Sequence, residues 1–140
     1  MHKAVFLDRD GTINVDKGFV HKAKDLKFLP NAVKGLKKMQ DLGFILIIIT
    51  NQSGIASGYY TEQDYLNLMR EFYSRLKKEK IIITDDFYCL HGRESKCRCR
   101  KPNTQLIENA AAKHNIEIKT CFFVGDKTSD ILAGKRMGMK

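Results

Sequence analysis

The sequence predicts an α/β protein with a mainly parallel sheet, and three observations carry that expectation. Apolar runs of strand length alternate with stretches of helical periodicity, the order in which helices cover a parallel sheet. The run Phe44-Ile45-Leu46-Ile47-Ile48-Ile49 has no polar alternation at all, as a central strand buried on both faces requires. Polar clusters directly follow several of these runs, and it is at the carboxyl ends of strands that open α/β sheets bind ligands.

Strands are expected at residues 3–8, 44–50, 86–90 and 121–125. The first helix follows Pro30-Asn31, turns Val33, Leu36 and Met39 inward, and is closed by Gly43. Thr61 with Asp64 three residues on gives the second helix a capping-box-like start. Its Tyr65, Leu68, Met69, Phe72 and Leu76 recur at spacings of three and four and read as core. The third follows Asn103 and Thr104 with Leu106, Ile107, Ala110 and Ala111 inward, and the fourth opens near Ser129 and Asp130 and runs to Met137. These elements order as a Rossmann-like, three-layer α/β/α arrangement in one domain spanning 1–140. A doubly wound sheet would return with a further strand after the fourth helix, so either a C-terminal truncation that removes the last strand or some other closure of the sheet is expected.

A chain of 140 residues supports one core and not two. Its 43% hydrophobic and 29% charged content is that of a soluble globular protein. No apolar run approaches the roughly 18 residues of a membrane span, and the first residues lack the apolar stretch of a signal peptide. A cytoplasmic monomer without a membrane partner is expected. The net charge of +9, from 25 Lys and Arg against 16 Asp and Glu, suits an anionic partner. The basic residues are scattered and no aromatic-interleaved basic stripe accompanies them, which favours a small anionic substrate over nucleic acid.

The run Val5-Phe6-Leu7-Asp8-Arg9-Asp10-Gly11-Thr12 sets two carboxylates at i and i+2 where an apolar strand meets a glycine. Strand alternation puts Asp8 and Asp10 on one side and turns Arg9 away, and Gly11 permits the sharp departure that exposes both acids. Two like charges this close call for a hard cation such as Mg²⁺ or a raised pKa on one of them. Either suits phosphoryl transfer; a plain surface turn is the alternative. Thr50-Asn51-Gln52-Ser53-Gly54 ends the most apolar strand with hydroxyl and amide groups that can bond a phosphate without adding charge. Arg100-Lys101 places two cations before a helix, one a bidentate fork and the other a point charge. Gly125-Asp126-Lys127-Thr128-Ser129-Asp130 again follows an apolar run, making Asp126 a third metal ligand and Asp130 either its support or a helix cap. Any one cluster could be surface; four at four strand ends assemble a site if those ends share one sheet edge.

Cys89-Leu90-His91 and Cys97-Arg98-Cys99 place four soft ligands within eleven residues. Cys₃His is a closed, structural zinc set, and its net charge would be offset by Arg93, Lys96, Arg98 and Arg100. Such a loop would aim Arg100-Lys101 at the site; reduced side chains in an ordinary loop are the alternative. Cys121 reads as a core thiol, and His2, His21 and His114 have no partner spacing, with His21 alone able to approach the site through the loop after Asp10.

Together these motifs resemble the haloacid dehalogenase superfamily of phosphatases. Within it they are similar to the D-glycero-D-manno-heptose 1,7-bisphosphate phosphatases, on Asp8-Arg9-Asp10-Gly11-Thr12-Ile13-Asn14-Val15-Asp16, Gly18-Phe19-Val20-His21, Thr50-Asn51-Gln52-Ser53-Gly54-Ile55-Ala56 and Cys97-x-Cys99-Arg100-Lys101-Pro102. The resemblance implies a hydrolase of carbohydrate metabolism acting on a phosphorylated sugar of nucleotide-activated or lipopolysaccharide pathways. It implies Asp8 as a nucleophile forming an aspartyl-phosphate and Asp10 as the group that protonates the leaving oxygen and then activates water. It implies Mg²⁺ on Asp8, the Asp10 carbonyl and Asp126, with Thr50 and Lys101 steadying the phosphoryl group. Asn51, Gln52, Ser53, Arg100 and Lys127 would contact substrate, Asp16, Lys17, Gly18 and Phe19 would border the sugar, and Cys89, His91, Cys97 and Cys99 would hold Zn²⁺. The five residues between His91 and Cys97 make a short loop, similar to that of the related histidinol-phosphate phosphatases, which are the second candidate. A nucleic-acid 3′-phosphatase and a non-catalytic zinc-binding fragment are more distant ones.

Overall fold

The computed structural model describes all 140 residues, Met1–Lys140. Four strands, β1 (Ala4–Leu7), β2 (Ile45–Asn51), β3 (Asp85–Cys89) and β4 (Phe122–Val124), form one wholly parallel sheet in the order β3-β2-β1-β4. Helices α1 (Ala32–Asp41), α2 (Glu62–Lys78), α3 (Gln105–His114) and α4 (Thr128–Met137) connect and cover them.

The unbroken apolar run of β2 serves two cores at once. Leu46 and Ile48 join Val5 and Leu7 of β1 under Leu36 of α1 and Tyr65, Leu68, Met69, Phe72 and Leu76 of α2. Ile47 and Ile49 join Ala4 and Phe6 on the opposite face under Leu106, Ile107 and Ala110 of α3 and Ala133 of α4. Side chains alternate between faces along a strand, so a strand with helices on both sides has no polar position to spare. The result is the expected three-layer α/β/α order.

Local chemistry sets the helix ends. The Asp64 N–H donates to Thr61 Oγ1 at 3.0 Å and the Thr61 N–H to Asp64 Oδ2 at 2.9 Å, a reciprocal capping box, of the kind that contributes about 1 kcal/mol. α4 opens at Thr128, next to the expected Ser129 and Asp130, and the Asp130 carboxylate accepts the Lys127 N–H at 3.1 Å. Gly138, in the left-handed region, closes α4, and the Lys140 N–H donates to the Cys121 carbonyl at 3.1 Å. No helix is long and apolar enough to cross a membrane.

The topology places the site. From β1 the chain builds outward through β2 and β3, then crosses back to lay β4 on the other side of β1, so the crevice outside the carboxyl end of β1 is a topological switch point. Leu7 pairs with Ile48 and with Val124, which brings the residues after β1, at the end of β2 and after β4 to one edge.

Candidate active site

Asp8, the first residue past β1, is 5% exposed and lies at the floor of a cavity whose apolar lining is limited to Phe19 and Tyr60. Lys101 is buried with it. Its ammonium donates to Asp8 Oδ1 at 2.9 Å, to Asp130 Oδ1 at 2.7 Å and to the Ile49 carbonyl at 2.7 Å, so three donors meet three acceptors. Burial pushes the Asp8 carboxyl up to about 6; Lys101 opposes that rise and Asp130 adds to it. Asp8 Oδ2 accepts no hydrogen bond within the chain.

One carboxylate oxygen from each of Asp8, Asp126 and Asp130 lies within 4.8 Å of the other two. Asp130 is committed, one oxygen to Lys101 and the other to the Lys127 N–H. It is therefore both a support for the lysine and a helix cap. Asp126 is exposed and without a bonded partner. Two glycines make this approach feasible: a Cβ on Gly11, whose φ is +82°, would stand 2.3 Å from Asp126 Oδ2, and one on Gly125 would stand 2.2 Å from Asp130 Oδ2. The main-chain carbonyl of Asp10 accepts no backbone hydrogen bond. Uncompensated carboxylate oxygens beside a free carbonyl form the hard, all-oxygen donor set that Mg²⁺ takes. Below pH 6 a proton competes with the cation for Asp8. Apparent Mg²⁺ affinity is therefore expected to weaken about tenfold per pH unit from about pH 6 downward and to level off above about pH 7. Calorimetric titration across that range checks it, and a constant affinity would contradict the Asp8 assignment.

Asp10 lines the same cavity and Arg9 does not, as expected, but the Arg9 side chain does not leave Asp10 behind. The chain leaves β1 at Leu7, so strand alternation no longer governs residues 8–10. The fully buried guanidinium curls back to bind both Asp10 oxygens, at 2.9 and 3.2 Å from Nη2. Asn14 Nδ2 donates to Asp10 Oδ1 at 3.0 Å and Gln52 Nε2 to Oδ2 at 3.4 Å.

The segment after β2 divides its tasks. Thr50 is 1% exposed and does not line the cavity, and its Oγ1 accepts from Gln52 Nε2 at 2.8 Å. Gln52 Oε1 in turn accepts from the Tyr60 hydroxyl, whose pKa burial raises to about 12. Asn51 binds the backbone of Lys101, accepting its N–H at 3.0 Å and donating to its carbonyl at 3.4 Å. Asn51, Gln52 and Ser53 all line the cavity; the first two also tie the site together, while the Ser53 side chain is unbonded. Arg100 and Lys127 also line the cavity without a carboxylate partner, and Arg100 Nη1 is a buried donor with no acceptor. Asp16, Gly18 and Phe19 form one wall, with Asp16 Oδ1 accepting the Gly18 N–H at 2.9 Å. Lys17, grouped with them on sequence, is exposed and does not line the cavity: the turn that brings in its neighbours points it to solvent.

Cys89, His91, Cys97 and Cys99 converge with ligand atoms within 4.8 Å of one another. Tetrahedral zinc with Zn–S of about 2.3 Å sets sulfurs about 3.8 Å apart. The Cys89 and Cys97 sulfurs are 3.7 Å apart, and Cys89 Sγ lies 3.4 Å from His91 Nδ1. Burial pushes the Cys89 thiol up to about 12. Cys97 is drawn below its usual range, against the upward push of burial, by the Arg100 N–H and by the Cys89, Cys99 and Ser95 side chains. A closed Cys₃His set of this shape fits Zn²⁺ in a structural role.

Tyr60, Arg93, Ser129 and Asp130 line the cavity as well. No spacing rule links Tyr60 to Gln52 or Arg93 to the cavity; only the folded loops do. His21, to which the sequence assigns no chemistry, stacks on Tyr60 with ring centres 4.9 Å apart.

A buried lysine among carboxylates, a free carbonyl and unpaired cations at the switch point of a parallel sheet have the make-up of a Mg²⁺-dependent phosphoryl-transfer site. Residues 3–138 match the family model described as polynucleotide kinase 3 phosphatase. The chain is 44% identical to D-glycero-alpha-D-manno-heptose-1,7-bisphosphate 7-phosphatase of Photorhabdus laumondii, over 98% of this chain and 79% of that one. It is 45% identical to D-glycero-beta-D-manno-heptose-1,7-bisphosphate 7-phosphatase of Helicobacter pylori, over 99% and 81%. The crystal structure of D,D-heptose 1,7-bisphosphate phosphatase from B. bronchiseptica, complexed with magnesium and phosphate, superposes with a TM-score of 0.91 at 26% identity, over 98% of this chain and 77% of that one. The chain belongs to the haloacid dehalogenase-like phosphatase family that these relatives represent, and is a phosphoric monoester hydrolase.

Proposed function

We propose that the chain hydrolyses the 7-phosphate of D-glycero-D-manno-heptose 1,7-bisphosphate through an aspartyl-phosphate on Asp8. The observation that carries the mechanism is the state of Asp8: Oδ1 is pinned by the Lys101 ammonium at 2.9 Å while Oδ2 is unbonded, in a cavity that Asp10 shares. Oδ2 attacks phosphorus as the bond from phosphorus to the sugar oxygen breaks, and Asp10 delivers a proton to that departing oxygen. Asp10, now a carboxylate, takes a proton from water as the water oxygen attacks the acyl phosphate, releasing inorganic phosphate and restoring Asp8. Lys101 and the Thr50 hydroxyl steady the phosphoryl oxygens. Mg²⁺, held by Asp8, Asp126 and the Asp10 carbonyl, would offset charge on the nucleophile and the phosphoryl group.

Arg100, Lys127 and Ser53 are the groups left free to bind the rest of the substrate, and the wall from Asp16 to Phe19 borders the sugar. Cys89, His91, Cys97 and Cys99 hold a structural Zn²⁺ that stiffens the loop leading into Arg100-Lys101. Heptose bisphosphate as substrate rests on the kinship with the two 7-phosphatases, whose names differ in anomer. Phosphate release measured with Mg²⁺ on heptose bisphosphate, histidinol phosphate and a DNA 3′-phosphate tests the assignment, with zinc content determined on the same sample. Heptose bisphosphate is expected to lead in kcat/KM by at least about tenfold, a difference of about 1.4 kcal/mol in transition-state binding. A preference for either of the other two would overturn it.

A further inference from the structure

Arg9 is fully buried, and its guanidinium has Asp10 as its only carboxylate partner. Nε reaches Asp10 Oδ1 at 3.1 Å and Nη2 reaches Oδ1 at 2.9 Å and Oδ2 at 3.2 Å. Nη2 also donates to the carbonyl of Val20 at 3.0 Å, the residue that follows the wall of Asp16, Gly18 and Phe19. From below, the guanidinium is wedged against α2, with Nη1 3.7 Å from Met69 Sδ and the guanidinium carbon 5.7 Å from the centre of the Tyr65 ring.

Taking a guanidinium out of water costs more than a single ion pair ordinarily returns, so an apolar side chain would serve the core at least as well. What an apolar side chain cannot do is fix a carboxylate plane. A planar fork bound to both oxygens does so, and Asn14 and Gln52 complete the cradle from two other segments.

We propose that Arg9 is a positioning residue for proton transfer at Asp10, holding that carboxylate in one orientation and, through Val20, tying it to the wall beside the sugar. The inference rests on the reading of Asp10 as the proton-transfer group.

The test compares two leaving groups. A sugar alkoxide needs a proton as the phosphorus–oxygen bond breaks, whereas nitrophenolate leaves without one. Because kcat/KM reports only the steps through release of the leaving group, the later attack of water does not enter the comparison. Arg9→Lys keeps the buried charge and loses the fork. It is expected to lower kcat/KM for heptose bisphosphate about 100-fold and for p-nitrophenyl phosphate no more than about threefold. Arg9→Met, with melting temperatures recorded for every variant, should show the same selectivity. On an Asp10→Asn background, Arg9→Lys should cause no further loss, since residues acting through one group do not add. Proportional losses on both substrates, or losses that multiply in the double variant, would overturn the proposal and leave Arg9 a structural residue. If Asp10→Asn itself lowered both substrates equally, the assignment of Asp10 would fail first, a result distinguishable from failure of Arg9 alone.

Discussion

Asp8→Asn is expected to lower turnover at least about 10³-fold on every phosphate ester, because it removes the atom that forms the covalent bond rather than a contact that helps it. Stability should move the other way. The Asp8 carboxyl is raised to about 6 chiefly by burial, above its value in an unfolded chain, so its ionisation works against the fold. That penalty is absent below about pH 4, grows between the ordinary carboxylate value and about pH 6, and is fully present at neutral pH. Asparagine carries no such charge and can still accept from Lys101. The metal-free variant should therefore melt no lower than the wild type at about pH 7.5. Circular dichroism melts and phosphate release on the same preparation check both halves; a dead and unfolded variant would contradict this account of Asp8.

Lys101→Met is expected to do the opposite, damaging the fold and the activity together. The ammonium is the shared partner of Asp8 and Asp130, whose side chains are 7% and 1% exposed. Its removal leaves two buried carboxylates facing one another, a loss of about 3–5 kcal/mol by comparison with other broken buried pairs. Protonating a carboxylate relieves the strain, so the deficit should be larger at about pH 8 than at about pH 5.5. Mg²⁺ should restore part of it by supplying a cation to Asp8. Denaturant melts at the two pH values, with and without Mg²⁺, measure this, and a deficit unaffected by both would mean that the buried charges are not its source.

The fold was legible because its signals are local and redundant. The all-apolar β2, the Thr61–Asp64 box and the helical spacing of Tyr65 to Leu76 each speak for one element without reference to the rest. Asp8, Lys101 and Asp126 were legible for another reason: each follows a strand or precedes a helix at a place where the fold class puts ligands. The rest depends on rotamers and loop closure, which no spacing rule reaches. Arg9 reads as turned away from the two acids by strand alternation, yet past the end of the strand its guanidinium returns to bind Asp10. Lys17 reads as part of a sugar-facing segment, yet the turn at Asp16–Gly18 directs it to solvent. Asn51 and Gln52 read as substrate ligands and do line the cavity, but no spacing rule shows that their amides also hold Lys101, Thr50 and Asp10. Tyr60 gives no sequence signal because its partner lies eight residues back across a turn.

Asp8 becomes phosphorylated in this mechanism, and rapid acid quenching during turnover with heptose bisphosphate and Mg²⁺, followed by peptide mass mapping, detects the modified residue. The peptide containing Asp8 is expected to carry one phosphoryl group in the wild type within the first turnover, and none in Asp8→Asn. Full turnover with no phosphorylated peptide, or a phosphoryl group found on Asp10, Asp126 or a histidine instead, would contradict it.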